Sequence, residues 1–204
     1  MNLPRLYAII DAACFSGETN KVAVFAAELT SAGATLLQYR NKIGTSRQML
    51  SQGRELRRKL SGRAQLIMND RADLCLGASF DGVHLGQDDI SVAGARAILG
   101  SATTIGLSTH NLQQFQDAVA TSADYIALGP IFSTRSKQNP DPEVGLKTLA
   151  QARKLTGKPI VAIGGISREN CRSVIDAGAD SIAVISDLLD APGKRVEEFL
   201  RVLG

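Results

Sequence analysis

The sequence contains no tryptophan, and aromatic residues make up only 4% of its 204 residues. Few aromatic side chains leave few surfaces on which nucleic-acid bases could stack. Charge of one sign is also lacking, because 23 basic residues are balanced by 20 acidic ones and the net charge is +3. Nucleic-acid-binding domains usually carry a clear excess of basic residues. These two features argue against a nucleic acid as the partner.

Long apolar runs are missing as well. No segment approaches the ~20 apolar residues of a membrane span, and the apolar run near the start (LYAII, 6–10) is too short for a secretory signal. The three cysteines, Cys14, Cys75 and Cys171, are odd in number and form no CxxC pair, which is typical of reduced thiols. We therefore expect a cytoplasmic protein that does not contact a membrane.

Signatures of nucleophilic catalysis are absent too. There is no GxSxG sequence, and no cysteine stands beside a histidine. Only two histidines occur, too few for a zinc site. His84 stands inside an apolar run and is interpreted as a buried residue satisfied by hydrogen bonds. His110 either lies near a site or begins a helix.

What the sequence does contain is a regular alternation of short apolar runs with segments of helical spacing. The strand-like runs are 6–10, 35–39, 65–68, 82–85, 104–108, 125–129, 159–164 and 181–186. Helical spacing covers 21–31, 47–60, 92–99, 112–120, 146–155, 168–177 and 195–203.

This alternation predicts a parallel sheet with right-handed crossovers. About eight strand–helix units in a chain of this length favour a closed (β/α)₈ TIM barrel, formed by residues 1–204 as one catalytic domain. The rival is an open doubly wound sheet, which would want a glycine-rich GxGxxG after the first strand. The sequence there, IIDAACFSG, lacks it, so the α/β barrel is preferred.

Acidic residues stand at the ends of two neighbouring predicted strands. Asp70 ends the third strand, and Asp88 and Asp89 follow the fourth. Active sites of barrels lie at the carboxyl ends of the strands, where gathered carboxylates repel one another unless a cation lies between them. Mg²⁺ accepts such ligands together with water and phosphate oxygens. The alternative is helix capping, since Asp70 and Asp89 both precede helical segments.

Basic and hydroxyl side chains gather at other strand ends. Alternation puts Gln38, Arg40 and Lys42 on the same strand face, and an arginine there is costly to desolvate unless an anion pairs with it. The loop after the sixth strand, GPIFSTRSK, and the fifth strand add Thr134, Arg135, Ser136, Lys137 and Ser108. With Mg²⁺, these groups could hold a pyrophosphate. The alternative for the loop is a solvated surface turn.

A pair of glycines follows the seventh predicted strand. Gly164 and Gly165 would expose backbone N–H groups close to a helix N-terminus, which is a ready site for an anion. The loops after the seventh and eighth strands are the usual phosphate site of barrels, although turns also use glycine pairs freely. Their position predicts a second phosphate site.

Seven segments together carry a resemblance to a known family: QYRNK, MNDRADL, DGVHLGQDD, GLSTH, ADYIALGPIFSTRSK, IVAIGGI and GADSIAVIS. In order and spacing, the chain resembles the thiamine phosphate synthase family over nearly its whole length. The resemblance implies a transferase that joins 4-amino-2-methyl-5-(diphosphomethyl)pyrimidine to hydroxyethylthiazole phosphate, giving thiamine phosphate and pyrophosphate.

The resemblance also implies roles for individual residues. Those expected to bind the pyrimidine diphosphate are Gln38, Tyr39, Arg40, Asn41, Lys42, Asn69, Ser108 and Lys137, of which Arg40, Lys42, Ser108 and Lys137 would be catalytic. Those expected to hold the thiazole phosphate are Thr134, Arg135, Ser136, Gly165, Ile185 and Ser186. Asp70 and Asp89 would hold Mg²⁺. Asn41 is often glutamate in relatives, and Ser136 is often threonine, which keeps the hydroxyl.

The implied chemistry agrees with the missing catalytic signatures. In the family, the C–O bond ionises to a pyrimidinylmethyl cation and pyrophosphate, and the thiazole nitrogen captures the cation, so no protein nucleophile is needed. One alternative is a thiazole tautomerase of the same fold, with a histidine near His110 as proton carrier. Another is a barrel that binds thiazole or pyrimidine phosphates without catalysis. GQDD and TRSK argue against the tautomerase, and the two candidate metal carboxylates together with Lys137 argue against the non-catalytic barrel. A homo-oligomer and the form of the thiazole are left open.

Overall fold

The eight strands form one closed parallel barrel in the order of the sequence. This computed structural model describes residues 2–134 and 142–204. The strands are β1 (Leu6–Asp11), β2 (Leu36–Arg40), β3 (Gln65–Asn69), β4 (Gly82–Leu85), β5 (Thr104–Thr109), β6 (Tyr125–Leu128), β7 (Ile160–Ile163) and β8 (Ser181–Val184). Because β1 pairs with both β2 and β8, the sheet has no free edge. The predicted single (β/α)₈ barrel is confirmed.

Helices surround the barrel and connect its strands. They are α1 (Thr19–Ser31), α2 (Ser46–Leu60), α3 (Ala72–Gly77), α4 (Val92–Leu99), α5 (Leu112–Val119), α6 (Gly145–Arg153), α7 (Cys171–Asp176) and α8 (Pro192–Leu203). Two 3₁₀ turns, Ala12–Phe15 and Ser186–Leu188, follow β1 and β8. In the described ranges, no helix has both the length and the apolar character needed to cross a bilayer.

The core has two layers, which follow from the period of two in a strand. In β1, Leu6, Ala8 and Ile10 pack outward among the residues that face the helices. Tyr7 and Ile9 point inward, into a smaller cluster that fills the barrel. Side chains of the inner set that lie near the carboxyl ends of the strands therefore reach the mouth of the barrel.

The helices refine the sequence prediction in two places. The helical segment expected after Asp70, for which no bounds were predicted, is the short α3, and α7 begins at Cys171 rather than at residue 168. A turn over 168–170 precedes α7, so its first helical turn lies several residues beyond the glycine pair.

The capping alternative for the two aspartates is not what the structure shows. The N-cap positions of α3 and α4 belong to Arg71 and Ser91. Asp70 instead has a positive φ of 63°, and the N–H of Arg71 donates to the carbonyl of Asn69 across it. A non-glycine residue in this conformation is uncommon and is found where the surroundings hold it in place. The carboxylates are therefore available for another role.

Candidate active site

A cavity opens at the carboxyl ends of the strands, where a barrel places its functional residues. Its lining includes eight residues that the sequence predicts for substrate binding: Gln38, Arg40, Asn69, Ser108, Thr134, Gly165, Ile185 and Ser186. They come from six strands and the loops after them. The fold therefore brings together residues that are up to 148 positions apart in the sequence.

Arg40 lies at the end of β2 and forms an ion pair with Asp11, which stands opposite it at the end of β1. The Asp11 carboxylate is 7% exposed and also accepts a hydrogen bond from the N–H of Ala13 at 3.1 Å. Sequence analysis did not assign Asp11 to the site. A signal for Asp11 was present in the sequence. The first two predicted strands, which are neighbours in a barrel, end in IID and QYR and so carry opposite charges at adjacent ends.

Asp70 and Asp89 meet at the mouth of the barrel, where Lys42 forms an ion pair with Asp70. Asp89 accepts a hydrogen bond from the N–H of Gly86 at 2.6 Å. Burial raises the pKa of Asp89, and the nearby Asp70 carboxylate raises it further. Asp88 is exposed, so of the two consecutive aspartates it is Asp89 that joins Asp70.

Two neighbouring carboxylates suit a hard divalent cation such as Mg²⁺. Across 2–134 and 142–204, no cluster of three or more histidine, cysteine, aspartate or glutamate residues could hold a metal. An ion bound by Asp70 and Asp89 would complete its shell with water and substrate oxygens. Mg²⁺ commonly binds in this way, through one or two carboxylates and phosphate oxygens.

Tyr39 and Asn41 do not reach the cavity with their side chains. The hydroxyl of Tyr39 donates to Oε1 of Gln52 on α2, and Nδ2 of Asn41 donates to the same oxygen at 3.0 Å. Oδ1 of Asn41 accepts from the N–H of Gly44 at 2.7 Å, which holds the turn after β2. Alternation explains this placement, since both residues lie on the strand face opposite Gln38 and Arg40. Only their backbone remains as a predicted substrate contact.

A continuous chain of hydrogen bonds crosses the inside of the barrel, and four of its five residues line the cavity. It joins five side chains in the order Gln38, Tyr7, Tyr125, His84 and Ser108. We call these five residues the interior chain. The interpretation of His84 as a buried, hydrogen-bonded residue is confirmed, whereas Tyr7 and Tyr125 were missed by sequence analysis.

The loop after β7 requires its two glycines for packing. Gly164 and Gly165 have φ values of 99° and 64°. A methyl group on Gly165 would lie 2.4 Å from the carbonyl oxygen of Ser133, and one on Gly164 would lie 2.4 Å from Cβ of Pro130. The helix N-terminus expected close to the pair, at residue 168, lies farther along the chain, because α7 starts at Cys171. The predicted phosphate site therefore depends on the loop backbone alone.

Arg168 joins the loops after β7 and β8. Its Nε and its backbone N–H each donate to Oδ2 of Asp187 at 3.0 Å, and its Nη1 donates to Glu198 on α8 at 2.6 Å. Asp187 follows Ile185 and Ser186, which line the cavity. Arg168 thus fixes the two loops that are predicted to hold the thiazole phosphate, a role that sequence analysis did not assign.

The remaining predicted residues have mixed outcomes. Thr134 lines the cavity, while Arg135, Ser136 and Lys137 lie outside the described residues. His110 also lines the cavity, and its Nδ1 donates to the carbonyl oxygen of Gly129 at 2.9 Å. Since a carbonyl only accepts, this contact places a proton on Nδ1.

Comparisons with known proteins agree on one family. A sequence model described as thiamine monophosphate synthase matches residues 6–188. The thiamine-phosphate synthase of Koribacter versatilis (strain Ellin345) is 58% identical over 205 residues, covering 100% of this chain and 97% of that protein. The one from Chloroflexus aurantiacus (strain ATCC 29366 / DSM 635 / J-10-fl) is 44% identical, covering 92% of this chain and 86% of that protein.

A solved structure gives the same result for the fold. The thiamine phosphate pyrophosphorylase of Pyrococcus furiosus superposes with a TM-score of 0.86 at 31% sequence identity. The alignment covers 98% of this chain and 95% of that one.

Proposed function

This chain belongs to the thiamine monophosphate synthase family and is a transferase that forms thiamine phosphate; we propose that it does so by Mg²⁺-assisted, dissociative loss of pyrophosphate. The substrates are the pyrimidine diphosphate and the hydroxyethylthiazole phosphate that the motifs imply. Residues 1–204 serve as one catalytic domain.

The observation that carries this proposal is the pair of carboxylates, Asp70 and Asp89, at the same mouth as the cationic side chains Arg40 and Lys42. A diphosphate that leaves with its bonding electrons gains negative charge. Cations that are already in position stabilise this charge better than water does, because they need no reorganisation. When bound at Asp70 and Asp89, Mg²⁺ would supply further positive charge at the diphosphate oxygens.

The chain's own residues have separate tasks in this reaction. Arg40, Lys42 and Lys137 neutralise the departing pyrophosphate, while Gln38, Asn69 and Ser108 orient the pyrimidine. The loops that carry Thr134, Gly165, Ile185 and Ser186, together with Arg135 and Ser136, hold the thiazole phosphate. The apolar wall of Ile9, Val161 and Ile163 excludes water, so that the thiazole nitrogen captures the cation before water can.

Mixing the two substrates with the purified chain and Mg²⁺, and assaying for pyrophosphate and thiamine phosphate, tests the proposal. We expect both products in equal amounts with Mg²⁺ and almost none with EDTA. Full activity in EDTA would contradict the metal-assisted mechanism. Binding of both substrates without any pyrophosphate would instead support the non-catalytic barrel.

The position of His110 favours a second candidate function, that of a thiazole tautomerase. His110 lines the cavity beside the loop after β7, and its Nδ1 contact with Gly129 fixes the orientation of its ring. A tautomerase would use this imidazole as a proton carrier. In the dissociative mechanism no histidine needs to move a proton, so His110→Ala should reduce turnover only mildly. Complete loss of turnover in His110→Ala would favour the tautomerase.

Location and assembly belong to the proposal as well. The three free cysteines, two of them buried, are what a reducing cytoplasm permits, and we infer that the protein works there on small molecules alone, with neither nucleic acid nor membrane as partner. A homo-oligomer remains a hypothesis for size measurement in solution.

A further inference from the structure

The interior chain joins Gln38 and Ser108 through three residues, Tyr7, Tyr125 and His84, that the proposed mechanism leaves without a role. We propose that the interior chain couples the hydrogen-bonding character of its two ends. When Gln38 accepts a hydrogen bond from the substrate, Ser108 donates one to the substrate. When Gln38 donates instead, Ser108 accepts. Tyr7, Tyr125 and His84 are then positioning residues that make the site selective for a ring edge with one donor beside one acceptor. This inference rests on the proposed function, because the expected substrate is an aminopyrimidine.

The contacts along the chain are continuous. Nε2 of Gln38 donates to Oη of Tyr7 at 2.9 Å, and the hydroxyls of Tyr7 and Tyr125 lie 3.0 Å apart. Oη of Tyr125 lies 3.0 Å from Nδ1 of His84. Nε2 of His84 lies 2.7 Å from Oγ of Ser108. Both end residues, Gln38 and Ser108, line the cavity, as do Tyr7 and His84, whereas Tyr125 is fully buried.

Counting hydrogens shows why the two ends are linked. Each tyrosine hydroxyl has one proton to donate, and a neutral imidazole donates from one nitrogen and accepts at the other. If Gln38 donates into the chain, each group passes a proton onward, and His84 donates to Ser108. The Gln38 carbonyl oxygen and the Ser108 hydroxyl proton then face the cavity. Reversing the chain reverses both ends together, so in either direction one end accepts and the other donates.

The barrel is built to hold this chain in place. Tyr125 lies across Gly106 of the neighbouring strand, where a methyl group would come within 2.0 Å of its ring. The rings of His84 and Tyr125 are stacked, with centroids 5.6 Å apart and an angle of 18° between planes. Burial raises the pKa of both Tyr7 and Tyr125, so each hydroxyl keeps its proton near neutral pH. A chain that keeps its protons and its geometry transmits polarity.

This coupling has a consequence for recognition. The amino group of an aminopyrimidine donates while the adjacent ring nitrogen accepts, and a 4-oxo analogue shows the opposite pattern. To accept the analogue in the same pose, the intact protein must reverse all five groups, including a rotation of the Gln38 amide. If the chain is cut at Tyr125, the His84–Ser108 end can reverse by itself. Cutting the chain should therefore relax the discrimination between the two rings.

The test compares the 4-amino pyrimidine diphosphate with its 4-oxo analogue in the wild-type protein and in Tyr125→Phe and Tyr7→Phe. Each substitution removes one hydroxyl and keeps the ring. We expect the ratio of kcat/KM for the amino substrate to that for the oxo analogue to fall on the order of tenfold in both variants. Dissociation constants for the two diphosphates, measured by calorimetry, should show the same loss of preference.

Ser181→Ala is the matched control, because Ser181 is also fully buried and donates only to the carbonyl of Arg5, away from the cavity. Its selectivity should equal that of the wild type. Unchanged selectivity in both tyrosine variants, with wild-type protein that still makes thiamine phosphate, would overturn the coupling but not the function. If the wild type makes no product, the function fails and calorimetry alone decides on the coupling.

Discussion

The two halves of the barrel mouth present different chemistry. The half formed by β1 to β4 carries charged side chains in ion pairs and a carboxylate pair, namely Asp11, Arg40, Lys42, Asp70 and Asp89. Among the described residues, the half formed by β6 to β8 has glycines and short side chains where its loops approach the cavity, with Gly164, Gly165, Ile185 and Ser186. Its own ion pair, between Arg168 and Asp187, connects loops to each other.

This difference matches what each half is asked to do in the proposed reaction. The diphosphate changes charge as the C–O bond breaks, and groups that interact more strongly with the transition state than with the substrate accelerate that step. The thiazole phosphate keeps its charge throughout, so its site contributes mainly to binding. Among the described residues, full charges therefore lie on the side proposed for the diphosphate, while the loops after β7 and β8 offer backbone dipoles and short side chains.

The ion pairs of the charged half also show how substrate binding must proceed. Arg40 and Lys42 are already paired with Asp11 and Asp70. A partly buried charge without a partner is costly, so the pair of Arg40 with Asp11 keeps this part of the site stable before substrate arrives, whereas the Lys42 side chain is exposed. If a diphosphate and Mg²⁺ bound as proposed, Lys42 would exchange the Asp70 carboxylate for phosphate, and Asp70 would be released to hold the metal. The charged half is thus arranged for an exchange of partners.

Removing one carboxylate of the pair should have the largest effect. We expect Asp70→Asn and Asp89→Asn each to lower kcat on the order of 10²–10³, measured as pyrophosphate release at saturating Mg²⁺. Asp88→Asn is the matched control and should stay within a few-fold of wild type, since Asp88 is exposed. A greater loss in Asp88→Asn than in Asp89→Asn would show that the metal ligand is Asp88.

The same variants allow a measurement that does not need turnover. The pKa of Asp89 is raised in the folded protein, so the folded state holds its proton more tightly than the unfolded state does. Stability without metal therefore falls as pH rises above the ordinary carboxyl pKa. At pH 7 in EDTA, Asp89→Asn should melt at a higher temperature than wild type, and Mg²⁺ should stabilise only the wild type. A melting temperature below that of wild type in EDTA would contradict this account.

Neutralising a cation that is proposed to face the departing pyrophosphate should have the next largest effect, and it should appear in kcat. We expect Arg40→Gln and Lys137→Ala each to lower kcat by up to 10²–10³ while weakening diphosphate binding far less. Lys137→Arg should keep only part of the activity, because a planar guanidinium group replaces the compact ammonium group of lysine. Single-turnover kinetics with labelled pyrimidine diphosphate separates binding from ionisation.

Arg40→Gln needs a control for stability, because it leaves the buried Asp11 carboxylate without its partner. The double variant Asp11→Asn/Arg40→Gln removes both charges and should recover the lost melting temperature without recovering kcat. If kcat returned with stability, Arg40 would be structural rather than catalytic.

Much of the fold and of the charged half could be predicted from the sequence. The alternation of apolar runs with helical spacing is a local signal that is repeated eight times along the chain, and for that reason it was enough to predict the barrel. Period two also put Gln38, Arg40 and Lys42 on one face. The assignment by resemblance treated 38–42 as one segment, and it thereby included Tyr39 and Asn41, whose side chains alternation directs toward α2.

The interior chain could not be predicted in this way. Tyr7 and Tyr125 stand in strands that are apolar on both faces, so the pattern does not tell which residues point inward. Their contact depends on barrel closure, which brings β1 and β6 within reach across the interior. The space that Gly106 leaves for the ring of Tyr125 depends on the register between β5 and β6. Such facts belong to the closed sheet and are not encoded by any short segment.

The smallest effect is expected in the half made of backbone and short side chains. Ser186→Ala removes one neutral hydroxyl from the predicted thiazole phosphate site, and a hydrogen bond of this kind contributes about 0.5–1.5 kcal/mol. We therefore expect KM for the thiazole phosphate to rise roughly threefold to tenfold, with kcat and KM for the pyrimidine nearly unchanged.

Gly165→Ala would be a poor test of the same site, because its methyl group would meet the Ser133 carbonyl. Ser173→Ala is a better companion, since Ser173 is exposed and donates to Asn170 outside the cavity, and it should change neither KM. A change of KM confined to the pyrimidine in Ser186→Ala would mean that the two halves hold their substrates the other way round.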